Sequence, residues 1–71
     1  MTQKKIQVFI NGKKKFFSSN NTLISLLNFL EIEENGIAIE VNRIVIPKSQ
    51  YKNTIVKNDD KVEIVQFIGG G

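Results

Sequence analysis

The sequence predicts an α+β roll, a mixed sheet of about five strands packed on one helix. Three observations carry this. Apolar and polar residues alternate at period two near both ends of the chain, one leucine stripe at helical spacing lies between them, and Asn-Gly and Asn-Asp clusters punctuate the segments. Seventy-one residues make one small domain, near the lower limit for a core without staples. Cysteine and histidine are both absent. That removes disulfides, thiolate metal sites and the commonest general base, so the core must be purely apolar.

The first strand runs from Lys5 to Ile10, with Ile6, Val8 and Ile10 on one face and Lys5, Gln7 and Phe9 on the other. Asn11-Gly12 follows, a pair suited to a type I′ turn because both central residues need positive φ. The returning strand covers about Lys14 to Ser18, and Ser18-Ser19-Asn20-Asn21 is a polar break. Thr22 is the expected helix N-cap, its hydroxyl accepting from a free amide of the first turn. Leu23, Leu26, Leu27 and Leu30 form the apolar stripe, with Phe29 off it as cover for a loop. Glu31, Glu33 and Glu34 stand at the negative end of the helix dipole, where they gain nothing.

Asn35-Gly36 leads into a strand at Ile37–Val41, and Asn42-Arg43 turns it back into Ile44-Val45-Ile46. Pro47, lacking an amide donor, stops that strand. Lys48 to Lys57 reads as irregular, anchored by Tyr51, Ile55 and Val56, before the Asn58-Asp59-Asp60 turn. Val62 to Phe67 is the last strand. If it enters the sheet centre beside the first, the topology is a β-grasp. Residues 1–68 would be that domain and 69–71 a flexible tail.

Net charge is +3, from nine lysines, Arg43 and seven acidic residues. Phosphate and base recognition favour the arginine fork, so the Lys13-Lys14-Lys15 patch reads as a solvated hairpin end and no nucleic acid is expected. No stretch approaches the roughly 20 apolar residues of a membrane span, and no nucleotide-binding glycine loop is present. No bound cofactor or metal is expected. Asp59, Asp60 and Glu63 are better explained by turn chemistry and an exposed strand position than by a metal site.

Three of the five glycines occupy Gly69, Gly70 and Gly71, directly behind the last strand. Without Cβ atoms such a run can thread a narrow cleft and present a bare carboxylate. An untidy end and a terminus that is itself the reacting group both fit these residues. Parity adds a surface. If Val62 and Ile64 face the helix, Val65 and Phe67 face away, as does Phe9 on the first strand. In a β-grasp those strands are neighbours, so Phe9, Val65 and Phe67, with Ile68, would form an apolar docking patch beside the tail.

The runs Ile39-Glu40-Val41-Asn42, Val45-Ile46-Pro47-Lys48, Asn58 to Val65 and Phe67 to Gly71 resemble the ThiS family, the small ubiquitin-like sulfur carriers of thiamine biosynthesis. The resemblance extends over nearly the whole chain. Asp59 and Arg43 depart from it, since the family usually has glycine at the first and often at the second. The resemblance implies that a ThiF-like adenylyltransferase lets the Gly71 carboxylate attack the α-phosphate of ATP. A persulfide sulfur donor then displaces AMP, and the resulting thiocarboxylate passes sulfur to thiazole synthase. Gly70 and Gly69 would give reach, and the carrier would be a co-substrate, not an enzyme. Its expected setting is the bacterial cytoplasm or the stroma of an organelle encoding its own copy.

Three other readings compete. The small subunit of molybdopterin synthase shares the fold and a diglycine end, but Gln66-Phe67-Ile68 stands where its members usually carry a proline-containing segment. A ubiquitin-like modifier would direct the same adenylate to lysine. A basic β-grasp module binding RNA would show steep salt dependence and indifference to loss of Gly71.

Overall fold

In a computed structural model of the chain, which describes residues 4–67, the first hairpin forms from β1, Lys5–Ile10, and β2, Lys13–Ser18. Asn11 and Gly12 hold φ of 50° and 84°, the left-handed pair that a two-residue type I′ turn demands. This tight turn lets β2 begin at Lys13, one residue earlier than the sequence suggests. The helix α1 spans Leu23–Leu30. The Thr22 hydroxyl accepts from the Ser25 amide at 3.1 Å, while the free Leu23 amide donates to the Thr54 carbonyl at 3.0 Å.

The helix stops without glycine. Glu31 takes φ 60°, its amide donates to the Asn28 carbonyl, and the Ile32 amide reaches back to the Leu27 carbonyl at 2.9 Å. This is a Schellman closure with a glutamate in the left-handed position. Ile32 then packs against the core, the apolar contact that accompanies such ends. Phe29 covers no loop. Its ring stands edge-on to Phe17 of β2, with centroids 5.3 Å apart at 79°.

β3, Ile37–Val41, and β4, Ile44–Ile46, form a second hairpin through Asn42 and Arg43, at φ 52° and 71°. The segment after Pro47, expected to be irregular, is a 3₁₀ helix over Lys48–Asn53. Proline's fixed φ suits a helix start, and its carbonyl accepts from the Gln50 amide at 2.8 Å. Tyr51 and Val56 anchor this region as expected, but Ile55 does not. It pairs with Thr22 in an isolated bridge and leaves its side chain 42% exposed.

β5 covers Lys61–Gln66, with Phe67 just beyond it. The order is β2-β1-β5-β3-β4, with β5 parallel to β1 and antiparallel to β3. This is the predicted β-grasp. One sheet face packs on α1, burying Val8, Ile10, Phe17, Ile39, Val62 and Ile64 against Leu23, Leu26 and Leu27. No polar or charged residue is buried among the described residues. The fold is therefore held by apolar burial and by its backbone ladders.

Candidate functional site

The site is organised around β5, the central strand that leads into residues 68–71. Its start is fixed by the turn before it. The Asp60 carboxylate accepts from the Lys57 amide and from the Asn42 side-chain amide, at 2.8 and 2.9 Å, while Asp59, at φ 69°, accepts from the Gln7 side chain at 2.6 Å. These carboxylates complete a turn. Among the described residues no group of three or more His, Cys, Asp or Glu could hold a metal ion.

Two turn asparagines then fasten the strand from either side. Asn42 exchanges bonds with Lys61, donating its backbone amide to the Lys61 carbonyl at 2.8 Å and accepting the Lys61 amide on its side chain at 2.9 Å. On the β1 side, the Phe9 amide donates to the Asp60 carbonyl and the Asn11 amide to the Val62 carbonyl, both at 2.9 Å. Beyond that point β1 has turned away, and the Asn11 side chain replaces it. Its oxygen accepts from the Ile64 amide at 2.8 Å and its nitrogen donates to the Ile64 carbonyl at 3.1 Å. The ladder is thus extended by a side-chain amide. At the far end the Phe67 amide donates to the Gly36 carbonyl at 2.9 Å. Both asparagines are legible in the sequence as turn residues, whereas their side-chain bonds to β5 depend on the sheet order and carry no local signal.

Parity on β5 follows the sequence. Val62 and Ile64 are buried against α1, whereas Val65 is 54% and Phe67 66% exposed. Phe9 is half-buried and does not sit among them. The parallel register sets it level with Lys61, so four residues, about 13 Å of strand, separate its rung from Val65. The neighbour across from Val65 is Ala38 of β3. Two rungs away, on the same face, lies the row Val45, Glu40 and Glu63, with Val45 65% exposed. The apolar group on this half of the open face is therefore Ala38, Val45, Val65 and Phe67. Ala38 and Val45 were legible from strand parity across the Asn42-Arg43 turn. Ile68, Gly69, Gly70 and Gly71, also expected at the site, lie outside the described residues.

Glu40 and Glu63 face each other across β3 and β5 within this group. Like charges directly opposite oppose pairing, so this rung is held by its neighbours and not by its own side chains. Tyr51, away from this face, has its titration shifted. Burial pushes the Tyr51 hydroxyl above the ordinary tyrosine range; a hydrogen bond with the Ile39 backbone acts against this and the Glu34 charge adds to it.

Comparisons with known proteins bear on this arrangement. The model of the ThiS family matches residues 5–71. A thiazole synthase of Paramagnetospirillum magneticum is 41% identical over 66 residues, covering 93% of this chain and 20% of that protein. The chain thus spans about a fifth of that relative's length. The ycf40 protein of Porphyra purpurea is 38% identical over 71 residues, the full length of both. The sulfur carrier protein ThiS of Bacillus subtilis is 33% identical, covering 87% of this chain and 96% of that one. The crystal structure of the thiamine biosynthesis protein ThiS from Geobacter metallireducens superimposes with a TM-score of 0.80 at 28% identity, covering 93% of this chain and 100% of the other. No helix among the described residues is long and apolar enough to cross a membrane.

Proposed function

The chain belongs to the ThiS family, and on that premise we propose that it carries sulfur for the thiazole ring of thiamine on the carboxylate of Gly71. The observation that supports this most is that the family match runs through residue 71, across Gly69, Gly70 and Gly71. Those residues follow a strand tied at Lys61, Ile64 and Phe67. A fixed root and a run free of Cβ atoms suit a group that must enter an enzyme's cleft.

A carboxylate ionised at neutral pH is a poor electrophile and needs activation. Attack of the Gly71 carboxylate on the α-phosphorus of ATP, held by a ThiF-like adenylyltransferase, expels pyrophosphate and gives an acyl-adenylate. The terminal sulfur of a persulfide donor displaces AMP. This forms a carbon–sulfur bond and leaves the carrier joined to the donor through the persulfide's own sulfur–sulfur bond. A second thiol attacks the donor sulfur and cleaves that bond, leaving a thiocarboxylate on Gly71 and a disulfide on the donor side. Thiazole synthase is the proposed recipient, a role supported by the match to one-fifth of the P. magneticum thiazole synthase. The chain itself contributes the reacting group, its reach and its docking surface. Val45, Val65 and Phe67 centre that surface and Ile68 follows them in the chain, while Phe9 stands apart from it, level with Lys61.

Intact mass spectrometry tests the proposal directly. The protein is incubated with ATP, a ThiF-like enzyme and a persulfide source. The expected result is a gain equal to replacing one oxygen by sulfur, dependent on ATP and absent when Gly71 is deleted. An unchanged mass beside a partner shown to be active overturns the carrier role, and covalent adducts through lysine would reassign the tail to protein modification.

A further inference from the structure

The outer edge of β2 and the helix flank beside it carry features that sulfur transfer leaves unused. β2 is one margin of the sheet, at the opposite side from β4. The two-residue Asn11-Gly12 turn makes Ile10 and Lys13 a hydrogen-bonded rung, so Val8–Lys15 and Ile6–Phe17 are bonded rungs as well. On the rungs between them the backbone groups point away from β1. The amides and carbonyls of Lys14 and Phe16 therefore face the open margin. Farther along, Asn21 closes the edge by donating to the Ser18 carbonyl at 2.6 Å.

Against this margin lies a cavity of about 340 Å³ whose walls include Phe16, Phe17 and Phe29. Phe16 is 59% and Phe29 70% exposed, yet Phe29 is propped edge-on against Phe17. The leucine stripe already fills the helix's contact with the sheet, so the exposed Phe29 ring has little to do in folding. No carboxylate lines the cavity, and Lys5 does. Lys13 and Lys15 share the sheet face of Phe17, while Lys14 shares that of Phe16. Five of the nine lysines lie in the first fifteen residues, and no acidic residue occurs before Glu31.

We infer that this margin is a docking site for an extended, acidic peptide segment of a partner protein. The segment adds a strand to β2, pairs with the backbone of Lys14 and Phe16, and lays successive apolar side chains alternately on the Phe29 side and the Phe16 side of the sheet edge. Acidic residues at its ends meet Lys13, Lys14, Lys15 and Lys5. Lysines on a free edge also guard against unplanned pairing. Defence alone does not account for two exposed phenylalanines beside the same edge, which invite contact. Lysine excludes neutral and basic strands while admitting an acidic one, and that difference gives selectivity. The site is distinct from the docking surface centred on Val45 and Val65, which lie on β4, the opposite margin, and on β5, beyond β1.

The test is a titration of the isotope-labelled full chain with a synthetic octapeptide, four alternating isoleucines and valines flanked by aspartate pairs. Amide shifts are expected at residues 13–18 and around Phe29, with affinity falling as salt rises. Phe29→Ala should weaken binding by about tenfold, the loss typical of an anchoring aromatic ring. Lys13→Glu combined with Lys15→Glu should abolish it. All three residues are exposed, and an otherwise unchanged amide spectrum verifies that each variant is folded. A peptide with prolines at alternate positions, or with lysines replacing the aspartates, should not bind. The inference is overturned if millimolar peptide shifts nothing, if the shifts fall around Val45 and Val65, or if Phe29→Ala binds as the parent does. Equal affinity for the lysine-flanked peptide, or displacement by an RNA oligonucleotide occupying the same amides, overturns it too.

Discussion

Asn11→Ala isolates the contribution of the side chain that fastens β5 where β1 ends. The substitution removes two hydrogen bonds to Ile64, one accepted at 2.8 Å and one donated at 3.1 Å. Each has a net contribution of about 1 kcal/mol, and leaving partly buried backbone groups of Ile64 unpaired adds to the loss. Asn11 also sits at φ 50°, a left-handed conformation that asparagine adopts more readily than alanine, which adds a further ~0.5 kcal/mol. The sum is about 3 kcal/mol, against roughly 4–10 kcal/mol of total stability for a domain of this size. The variant should therefore fold, with its melting midpoint lower by about 12–24 °C. Asn11→Asp refines the test. It keeps the acceptor for the Ile64 amide but sets a charged oxygen against the Ile64 carbonyl, which raises the carboxyl's folded-state pKa above its unfolded value. Its stability relative to the parent should therefore be best below the ordinary aspartate pKa and fall as pH rises through the raised value. Urea denaturation followed by circular dichroism, at neutral and acidic pH, measures both effects. A loss under about 1 kcal/mol for Asn11→Ala, or a flat pH response for Asn11→Asp, would refute the side-chain ladder.

Arg43→Gly should stabilise the protein by about 0.5–1 kcal/mol, because relief of the left-handed φ of 71° exceeds glycine's added unfolded-state entropy; a lower urea midpoint would count against it. Leu26→Ala, at a fully buried helix position, should cost about 2–5 kcal/mol, read from the same denaturation curves, and a loss below about 1 kcal/mol would mean that the core collapses around the gap. Tyr51 has its folded-state pKa raised, chiefly by burial, so its contribution is present below the ordinary tyrosine pKa and is lost as pH rises through the raised value. Tyr51→Phe should flatten that part of the alkaline decline, and identical alkaline slopes in the two proteins would exclude Tyr51 as the titrating group. Glu40→Gln should gain a few tenths of a kcal/mol by relieving the pair with Glu63, a gain that shrinks in high salt.

Local chemistry made most of the architecture legible. Asn11-Gly12 and Asn42-Arg43 lie between alternating segments, and Thr22 stands ahead of a leucine stripe, so each element is marked by residues within a turn of its boundary. The 3₁₀ helix is one short coil that buries only Tyr51, too brief to show a repeating stripe; Pro47 was its available signal. Glu31 in the left-handed closing position carries no sequence mark, since glycine or asparagine is the usual occupant. The docking patch shows where local reading stops. Which face Phe9, Val65 and Phe67 occupy follows from parity on single strands. Which rung Phe9 occupies depends on contacts about fifty residues apart, the Asp59 amide on the Gln7 carbonyl and the Phe9 amide on the Asp60 carbonyl. Those bonds set Phe9 beside Lys61 and leave Val65 to Ala38.

The same register explains how one strand serves both stability and recognition. The inward residues of β5, Val62 and Ile64, are buried against the helix, and its backbone is fastened at Lys61, Ile64 and Phe67 by three separate turns. Almost all of its anchoring energy thus comes from one face and from the backbone. The outward residues Glu63 and Val65 contribute little to holding it, and the opposition of Glu63 to Glu40 acts against pairing. Side chains on that open face can therefore change to suit a partner without loosening the root of the glycine tail. On the proposed function, a carrier recognised by successive enzymes would need this separation, because a surface whose residues also formed the core could be altered only at the expense of the fold.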